Sequence, residues 1–397
     1  MIKESVKVVK YDKDKEKIKS DSKEMVYLDK EAVDMEQYGF DEFFQKKWSE
    51  IYNEKWIDEL NKKSELESNI VPARVVSDHG QMLKVISPYG ELMVKRPITH
   101  QLLDQQVAAG DWLAIKYSVE MEDASIEHVL ARKTKFSRAA AGIEVKEQIV
   151  AANVDVIFLI QSLNKDFNMR RLERYLIASW ESGAIPVIVL TKSDLCDDID
   201  RKVTEVEVTA PGVDIFSVSN LTGEGIDTLR QFVTRGKTVA LLGSSGVGKS
   251  TLVNRLAGQE LLKTQAIRED DSKGRHTTTH RELVLLPNGG IILDTPGMRT
   301  LSLWEAEDGM EKLYGDIESL IRSCRFTDCK HNNEPGCAVQ KGLKNGQIDE
   351  QKWINWNKLQ KEMRFLNAKK RSKLRAAEKQ SYKRQSKASV FSKIDQF

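Results

Sequence analysis

The sequence lacks the features of a membrane protein or a secreted protein. No apolar run approaches the roughly 18 residues that a membrane-spanning helix needs. The first twenty residues, MIKESVKVVKYDKDKEKIKS, contain no apolar core of the kind that secretory signal peptides have. There are only 4 cysteines, and three of them lie close together beside a histidine, which in an intracellular chain favours a metal site over disulfides. We therefore expect a soluble, cytoplasmic protein with no membrane partner.

The sequence also lacks an overall charge imbalance. Its 62 Lys and Arg residues nearly cancel its 60 Asp and Glu residues, which leaves a formal net charge of +2. From residue 358 to the end, however, 13 Lys or Arg stand against 3 Asp or Glu, so this segment has a net charge of +10 and the rest has −8. A basic end on an acidic body favours binding to a polyanion such as RNA, with a solvated helix face as the alternative.

Residues 1–69 form a predicted helical, charged N-terminal extension. The run YGFDEFFQKKWSEIYNEKWIDELNKK has apolar residues at helical spacing. Five of them share one face: Phe40, Phe43, Phe44, Trp48 and Ile51. We expect this helix to lie on its own protein, with docking to a partner as the alternative.

Residues 70–133 contain four or five short strand-like runs separated by Gly, Asp and Pro, for example PARVVSDHGQMLKVIS and GDWLAIKYSV. This spacing predicts a small β-barrel, with an OB-fold as the leading candidate. Such barrels often bind oligonucleotides, although many bind nothing. Residues 134–303 then alternate between strand and helix patterns, without an internal repeat, which predicts a doubly wound α/β domain with a mainly parallel sheet.

A phosphate-binding loop is predicted in the α/β domain. GSSGVGKS (243–250) matches G-x-x-x-x-G-K-[ST] and lies between a predicted strand and a predicted helix. We expect Lys249 to reach the β- and γ-phosphates and Ser250 to hold Mg²⁺. The predicted nucleotide contacts of this segment are Gly243, Ser244, Ser245, Gly246, Val247, Gly248, Lys249, Ser250 and Thr251.

Two further segments are predicted to sense the γ-phosphate. DTPG follows a predicted strand, so that Asp294 is expected to reach Mg²⁺ and the Gly297 amide to contact the γ-phosphate. The loop DSKGRHTTTHREL precedes a strand, where a first switch belongs. Thr278 is its candidate for a second Mg²⁺ ligand, with an ordinary solvated threonine as the alternative.

Base choice is assigned to the motif TKSD, which consists of Thr191, Lys192, Ser193 and Asp194. The Asp194 carboxylate can accept two hydrogen bonds from guanine, and adenine offers no such pair of donors. Most GTPases have Asn at the first position, so Thr191 removes an amide. The run SVSNLTGEG fits the loop that contacts guanine O6, which assigns Ser217, Val218 and Ser219 to the base.

The order of these motifs is unusual. They run from base recognition (191–194) and the base loop (217–219) to the phosphate loop (243–250), the first switch (about 274–279) and the second switch (294–297). Ras-like GTPases begin with the phosphate loop, so this order predicts a circularly permuted P-loop α/β GTPase domain. The second switch then leads directly into the C-terminal domain, and we hypothesise that γ-phosphate loss is transmitted along this short tether.

Residues 304–397 are predicted to form a zinc-binding α domain with a basic helical tail. The pattern C-x4-C-x-H-x5-C supplies four ligands, Cys324, Cys329, His331 and Cys337. Three thiolates and one imidazole suit a tetrahedral, structural Zn²⁺ ion, with free buried thiols as the alternative. The basic run after this cluster, beside a zinc module and a small barrel, favours RNA contact.

The motifs TKSD, GSSGVGKST, GRHTTT and DTPG and the zinc pattern, in this order after a small barrel, resemble the bacterial ribosome small subunit-dependent GTPase A family. AANVDVIFLIQSLNKDFNMRRLERYL (151–176) is also similar. The resemblance implies an OB-fold, a permuted GTPase domain and a zinc domain. It also implies a role in late maturation of the small (30S) ribosomal subunit, with rRNA as a partner. GTP hydrolysis would be stimulated by the subunit and would favour release. We expect a monomer that binds GTP and GDP.

Two positions bear on the rate of hydrolysis. Met298 follows DTPG, where Ras-like proteins have the Gln that orients water, so intrinsic hydrolysis is expected to be slow. His276 in the first switch is the family-like candidate for the missing group, with an exposed loop histidine as the alternative. Lys249 is the other candidate catalytic residue. Two competing functions are a nucleotide-gated RNA-binding module with incidental turnover and a metabolic P-loop kinase or ATPase, against which Asp194 argues.

Overall fold

The computed structural model describes residues 32–52, 68–96, 106–118, 123–140, 147–262, 282–294, 303 and 306–394. The strands are β1 (Ser68–Asp78), β2 (Met82–Ser87), β3 (Gly90–Lys95), β4 (Trp112–Ser118), β5 (Asp123–Val129), β6 (Lys135–Ala139), β7 (Glu147–Ala152), β8 (Val156–Ser162), β9 (Ile185–Thr191), β10 (Asp214–Val218), β11 (Thr238–Gly243), β12 (Glu282–Leu285) and β13 (Ile291–Asp294). The α-helices are α1 (Glu42–Ile51), α2 (Met169–Ser182), α3 (Ile199–Thr209), α4 (Lys249–Ala257), α5 (Glu307–Arg322), α6 (Ala338–Lys344) and α7 (Glu350–Ile394). None of the described helices is long and apolar enough to span a bilayer.

Strands β1 to β5 form a small antiparallel barrel. β1 pairs with β2 and β4, β2 pairs with β3, and β4 pairs with β5, while β3 lies against β5 and closes the ring. The inward-facing side chains form an apolar core of their own. That core includes Val75, Leu83, Val85, Leu113 and Ile115. A five-stranded barrel with this strand order is an OB-fold, which confirms the predicted fold.

The α/β part contains the parallel strands β10-β9-β8-β11-β13, with β12 antiparallel beside β13. β8 reads VIFLIQS and is buried throughout, as expected for a parallel strand covered on both faces. The carboxyl ends of these strands meet at one edge of the sheet, where open α/β sheets bind their ligands. The residues that end four of them are Thr191, Val218, Gly243 and Asp294. β12 also pairs with β1, so the barrel and the α/β sheet are hydrogen-bonded to each other.

Residues 32–52, which precede the barrel, lie on the protein itself, whereas residues 1–31 and 53–67 of the predicted extension lie outside the described residues. α1 begins after Asp41, whose side chain accepts a hydrogen bond from the Phe43 amide. Phe44 is 2% exposed, and its ring centroid lies 5.7 Å from that of Trp112. The Phe40 ring lies 4.8 Å from the same indole. The predicted amphipathic helix is therefore present, and its apolar face packs within the molecule.

A buried arginine joins three parts of the chain. Arg74 of β1 is 1% exposed. Its guanidinium donates hydrogen bonds to the carbonyl oxygens of Tyr38, Gly110 (3.4 Å) and Asn153 (3.1 Å) and to Oγ1 of Thr238 (2.8 Å). Burial lowers the pKa of Arg74 to about 10, so the side chain remains protonated at neutral pH. The N-terminal segment, the barrel and the α/β sheet thus share one cation.

The C-terminal helices pack on α2. A Cβ atom at Gly309 would lie 2.6 Å from the carbonyl oxygen of Ile177, so the close approach of α5 requires glycine there. The Gly309 amide donates to Oε1 of Glu181 at 2.8 Å. Arg174 donates two hydrogen bonds to the Glu362 carboxylate, at 2.6 and 2.8 Å. These contacts fix the C-terminal domain on the helix that follows β8.

Glu173 of α2 is buried at this contact and makes the stability of the protein depend on pH. It accepts a hydrogen bond from Nδ2 of Asn355 at 2.9 Å. Burial raises the pKa of Glu173, although the hydrogen bond from Asn355 and the positive charges of Lys352 and Arg170 act in the opposite direction. Because the folded state favours the protonated acid, this group stabilises the fold at low pH and loses that contribution as the pH rises through its folded pKa.

We therefore expect Glu173→Gln to stabilise the protein at neutral and higher pH. The gain in the free energy of unfolding is expected to be on the order of 1 kcal/mol, because a neutral amide avoids the burial of a charge. Thermal unfolding across the pH range measures it, and the gain should shrink as the pH falls. Glu311→Gln, at an exposed position of α5, is the control. A gain that is the same at every pH would contradict the assignment.

Candidate nucleotide and metal sites

The predicted phosphate loop lies between a strand and a helix. β11 ends at Gly243, where a Cβ atom would lie 2.6 Å from the carbonyl oxygen of Ile160, and α4 begins at Lys249. Gly248 has a φ of 97°, in the left-handed region that favours glycine. Nζ of Lys249 donates to the carbonyl oxygens of Gly243 (2.9 Å) and Ser244 (2.7 Å), so the ammonium group lies across the loop. Together with the helix N-terminus, it forms a positive cradle suited to phosphate.

A carboxylate from a neighbouring loop braces the phosphate loop. Oγ of Ser244 donates to Oδ2 of Asp166 at 2.5 Å, and Asp166 is also paired with Arg171 of α2 at 3.0 Å. Sequence analysis missed both charged residues, because the run LNKDFNMRR gives no spacing signal for a contact 78 residues along the chain.

The base-recognition motif lies beside the phosphate loop. Thr191 is fully buried, and its hydroxyl donates to the carbonyl oxygen of Val247 at 2.6 Å. Lys192 has a φ of 60°, so the chain turns sharply at the end of β9. Oδ1 of Asp194 accepts a hydrogen bond from Oγ of Ser219 at 2.5 Å. Three motifs that are far apart in sequence therefore meet at the predicted sheet edge.

The base loop extends further than its predicted residues. β10 ends at Val218, and Nδ2 of Asn220 donates to the carbonyl oxygen of Gly248 at 3.0 Å. Arg255 of α4 donates to the carbonyl oxygens of Asn220 (3.0 Å) and Leu221 (2.9 Å). Sequence analysis missed Asn220 and Arg255. The only available signal was a single amide side chain directly after SVS. Its contact with the phosphate loop could not be predicted, because the two segments meet only in the folded protein.

The predicted Mg²⁺ ligands lie partly within the described residues. Ser250 lies in the first turn of α4 and Asp294 ends β13, the strand next to β11, so both belong to the same sheet edge. His276, Thr278 and Gly297 lie outside the described residues. The other predicted contacts lie in the elements already described: Ser193 follows β9, Ser217 is in β10, Ser245 and Gly246 are in the phosphate loop, and Thr251 is in α4.

The four predicted zinc ligands form a compact cluster between α5 and α6. The ligand atoms of Cys324, Cys329, His331 and Cys337 all lie within 4.8 Å of one another. Sγ of Cys324 lies 3.9 Å from Sγ of Cys337, and Nδ1 of His331 lies 3.5 and 3.6 Å from these two sulfurs. A tetrahedral Zn²⁺ ion with Zn–S bonds of about 2.3 Å would hold its sulfur ligands about 3.8 Å apart. The donor set and the spacings therefore fit zinc.

The chemistry of the cluster also fits a cation. Burial lowers the pKa of His331, which favours the neutral imidazole that a metal ligand must be. Partial burial raises the pKa of Cys329 to about 11, and the thiols of Cys337 and Cys324 act in the same direction. A bound cation offsets this repulsion between sulfurs. The backbone amide of Gln340 donates to Sγ of Cys337 at 3.4 Å, which joins the cluster to α6.

Two family models match the chain. One, described as RsgA GTPase, matches residues 129–304, which hold the permuted motifs. The other, described as ABC transporter, matches residues 226–388, a range that contains the phosphate loop but begins after the base-recognition motif. The P-loop pattern occurs in many nucleotide-binding proteins, whereas the order of all the motifs agrees with the first model.

Curated relatives extend over most of the chain. The small ribosomal subunit biogenesis GTPase RsgA 2 of Vibrio parahaemolyticus is 45% identical over 300 residues, which cover 76% of this chain and 81% of the relative. The small ribosomal subunit biogenesis GTPase RsgA 1 of Listeria innocua is 42% identical over 334 residues, which cover 83% of this chain and 90% of the relative.

Solved structures have the same fold. YjeQ from Thermotoga maritima has a TM-score of 0.54 and 28% identity, over 73% of this chain and 97% of that one. YloQ, described as a circularly permuted GTPase, has a TM-score of 0.50 and 20% identity, over 77% of this chain and 96% of that one, and this likeness concerns the fold alone. With the motif order, the site geometry and the relatives in agreement, the chain belongs to the RsgA family of circularly permuted GTPases.

Proposed function

We propose that this protein is a GTP hydrolase that binds the small (30S) ribosomal subunit and its rRNA and assists late maturation of that subunit. Hydrolysis is stimulated by the subunit and is coupled to release. The contact of Thr191 with the phosphate loop, 2.6 Å from its hydroxyl to the Val247 carbonyl oxygen, is the observation that carries this proposal. It joins base recognition and phosphate binding in one site, as a guanine nucleotide requires. The names of the relatives supply the ribosomal subunit.

In this proposal the phosphate loop and the base motif hold the two ends of the nucleotide. Lys249 exchanges its contacts with the loop carbonyls for the β- and γ-phosphates and neutralises their charge. Asp194, aligned by Ser219, accepts the two hydrogen bonds of the guanine edge. Ser250, Asp294 and Thr278 would hold Mg²⁺, which would neutralise part of the phosphate charge.

The remaining roles concern hydrolysis and its transmission. His276 is proposed to orient the attacking water, because Met298 has an apolar side chain that cannot. The Gly297 amide contacts the γ-phosphate. Loss of the γ-phosphate moves the short connection from the second switch to α5. A C-terminal domain that keeps the same position with GDP and with a GTP analogue, measured by small-angle scattering or by distances between labels, would contradict this transmission.

The domain boundaries, the rRNA contact, the cellular location and the oligomeric state belong to the same proposal. The divisions are 1–69, 70–133, 134–303 and 304–397, the last with one structural Zn²⁺ ion. The basic run on α7, with 13 Lys or Arg from residue 358 onward, is proposed to contact rRNA phosphates. The protein would act in the cytoplasm as a monomer.

GTP hydrolysis by the purified protein tests the proposed function. It is measured alone and with small ribosomal subunits, with ATP and large subunits as controls. We expect slow hydrolysis alone and stimulation by small subunits on the order of tenfold or more, because the subunit completes a site that lacks the usual Gln. Tight GTP binding without stimulation by small subunits would favour the nucleotide-gated RNA-binding module instead.

The zinc assignment has its own test. Elemental analysis is expected to find one zinc ion per chain. Cys337→Ser is expected to remove it and to lower the stability of the C-terminal domain by several kcal/mol, because the binding free energy of structural zinc is folding free energy. Cys196→Ser is the matched control, since Cys196 lies outside the cluster. A Cys337→Ser variant that retains zinc and its melting temperature would contradict the assignment.

A further inference from the structure

We propose that Asn220 is a positioning residue that holds the guanine-contacting loop on the phosphate loop and thereby sets the rate of GDP dissociation. The proposal rests on the nucleotide site proposed above. It assigns a role to a side chain outside the base-recognition motif. It also bears on Thr191, which stands where most GTPases have Asn.

The contact of Asn220 with the phosphate loop is close. Nδ2 of Asn220 donates to the Gly248 carbonyl oxygen at 3.0 Å, and a Cβ atom at Gly248 would lie only 2.5 Å from that nitrogen. Gly248 is the N-terminal cap of α4, the helix whose first turn faces the phosphates. The amide of Asn220 therefore ties the base loop to the start of the phosphate-binding helix.

Arg255 fixes the same loop from the other side. It lies two turns further along α4 and donates to the backbone carbonyl oxygens of Asn220 and Leu221, at 3.0 and 2.9 Å. The backbone of the loop is thus held by the arginine, while the side chain of Asn220 adds a contact at the helix N-terminus. Loss of the side-chain contact leaves Arg255 to hold the backbone of the loop and removes its attachment to the helix N-terminus.

Thr191 and Asn220 hold two successive carbonyl groups. The hydroxyl of Thr191 donates to the Val247 carbonyl oxygen at 2.6 Å, and the amide of Asn220 donates to the next one, on Gly248. A threonine hydroxyl has one hydrogen to donate, and the Val247 carbonyl oxygen is the nearer of its two acceptors, since that of Gln161 lies at 3.3 Å. Asn220 therefore supplies the side-chain amide that the base-recognition motif lacks, from the neighbouring loop.

The consequence for the nucleotide follows from Ser219. Its hydroxyl aligns the Asp194 carboxylate, and it directly precedes Asn220 in the loop. When the contact of Asn220 with Gly248 breaks, the loop can move away from the base and take the hydrogen-bond donor of Asp194 with it. Base contacts then weaken while Lys249 and Ser250 keep their places. The nucleotide should leave faster, and the hydrolysis step should be unchanged.

Stopped-flow dissociation of a fluorescent GDP analogue from the full-length protein tests this inference. Asn220→Ala is expected to release GDP about five- to tenfold faster, the effect of one lost hydrogen bond. Asn220→Asp keeps the shape but sets a carboxylate against the Gly248 carbonyl, so its effect should be at least as large. KM for GTP should rise by a similar factor, while kcat at saturating GTP stays within about twofold.

Asn288→Ala is the matched control, because Nδ2 of Asn288 also donates to a backbone carbonyl, that of Val233 at 2.8 Å, outside the site. This variant should release GDP at the wild-type rate. If the Asn220 variants also do so, the inference is wrong. If the wild-type protein binds no guanine nucleotide, the proposed function fails first, so the two failures are distinguishable.

A double-mutant cycle tests the compensation between the two positions. If Asn220 supplies the amide that Thr191 lacks, Thr191→Asn should reduce the effect of Asn220→Ala on GDP release to about twofold or less. Equal effects of Asn220→Ala in both backgrounds would overturn the compensation. Melting temperatures of all variants separate a change in nucleotide release from a general loss of stability.

Discussion

Asp194→Asn is expected to lower the affinity for GTP by about 100- to 1000-fold and to raise the affinity for xanthosine triphosphate. In the proposed site the carboxylate accepts hydrogen bonds from both N1–H and the exocyclic amine of guanine, whereas an amide would set its own NH₂ group against that amine. Xanthine has a carbonyl group in that place, which accepts from the amide. Oδ1 of the new side chain can still accept the hydrogen bond from Ser219, so the loop keeps its anchor.

Equilibrium binding of fluorescent guanine and xanthine nucleotides measures this exchange of preference. Asp197→Asn is the control, because it removes a carboxylate three residues further along the same segment. That variant should keep the preference for guanine. An Asp194→Asn protein that loses both nucleotides equally would show that the carboxylate supports the fold and does not recognise the base.

Arg74→Met is expected to lower the free energy of unfolding by about 3–5 kcal/mol. The guanidinium serves four acceptors: the carbonyl oxygens of Tyr38, Gly110 and Asn153 and the hydroxyl of Thr238. Methionine fills a similar volume but donates nothing, so the carbonyl oxygens of Tyr38 and Asn153 lose this donor, whereas the Gly110 carbonyl oxygen keeps its hydrogen bond from Nδ2 of Asn153 at 3.0 Å. Each buried group left without a partner costs about 1–3 kcal/mol.

Denaturant unfolding measures this loss. Arg96→Met is the control, because Arg96 also serves several acceptors but is partly exposed, so water can largely replace its contacts with Asp78 (2.8 Å) and with the carbonyl oxygens of Gly80 (2.9 Å) and Val107 (3.3 Å). Thr238→Val removes only one acceptor of Arg74 and should cost about 1–2 kcal/mol, which keeps the test open if Arg74→Met does not fold. Equal losses in Arg74→Met and Arg96→Met would contradict the role of the buried cation.

The sequence predicted those features that depend on local pattern. Short strand-like runs separated by Gly, Asp and Pro identified the barrel strands, and the alternation of strand and helix patterns identified a mainly parallel sheet. The phosphate loop was predictable because its glycines and Lys249 must follow one another in the chain. The cluster of three cysteines and one histidine was predictable for a similar reason, since its members lie within fourteen residues.

Contacts between distant segments were not predictable. Arg74 in β1 looks like one more polar residue of a barrel strand, and nothing in VPARVVSD indicates a partner 164 residues away. Asn220 and Asp166 were equally unpredictable. Each side chain makes its hydrogen bond with a group from a distant part of the sequence: the Gly248 carbonyl oxygen for Asn220 and the Ser244 hydroxyl for Asp166. Local pattern therefore gave the nucleotide site its motifs, whereas the groups that hold the motifs together appear only in three dimensions.

The contacts of Arg74 also impose an order on the growing polypeptide. The barrel strands find their partners within residues 68–129, so they can pair soon after they leave the ribosome. Two hydrogen bonds of Arg74 form much later, because Asn153 lies 79 residues and Thr238 lies 164 residues further along the chain. Because chains emerge from the N-terminus at about 5–20 residues per second, the barrel exists for several seconds before its cation is fully enclosed. During translation, the barrel and the segment that contains Tyr38 are thus among the first parts made and among the last to be locked in place.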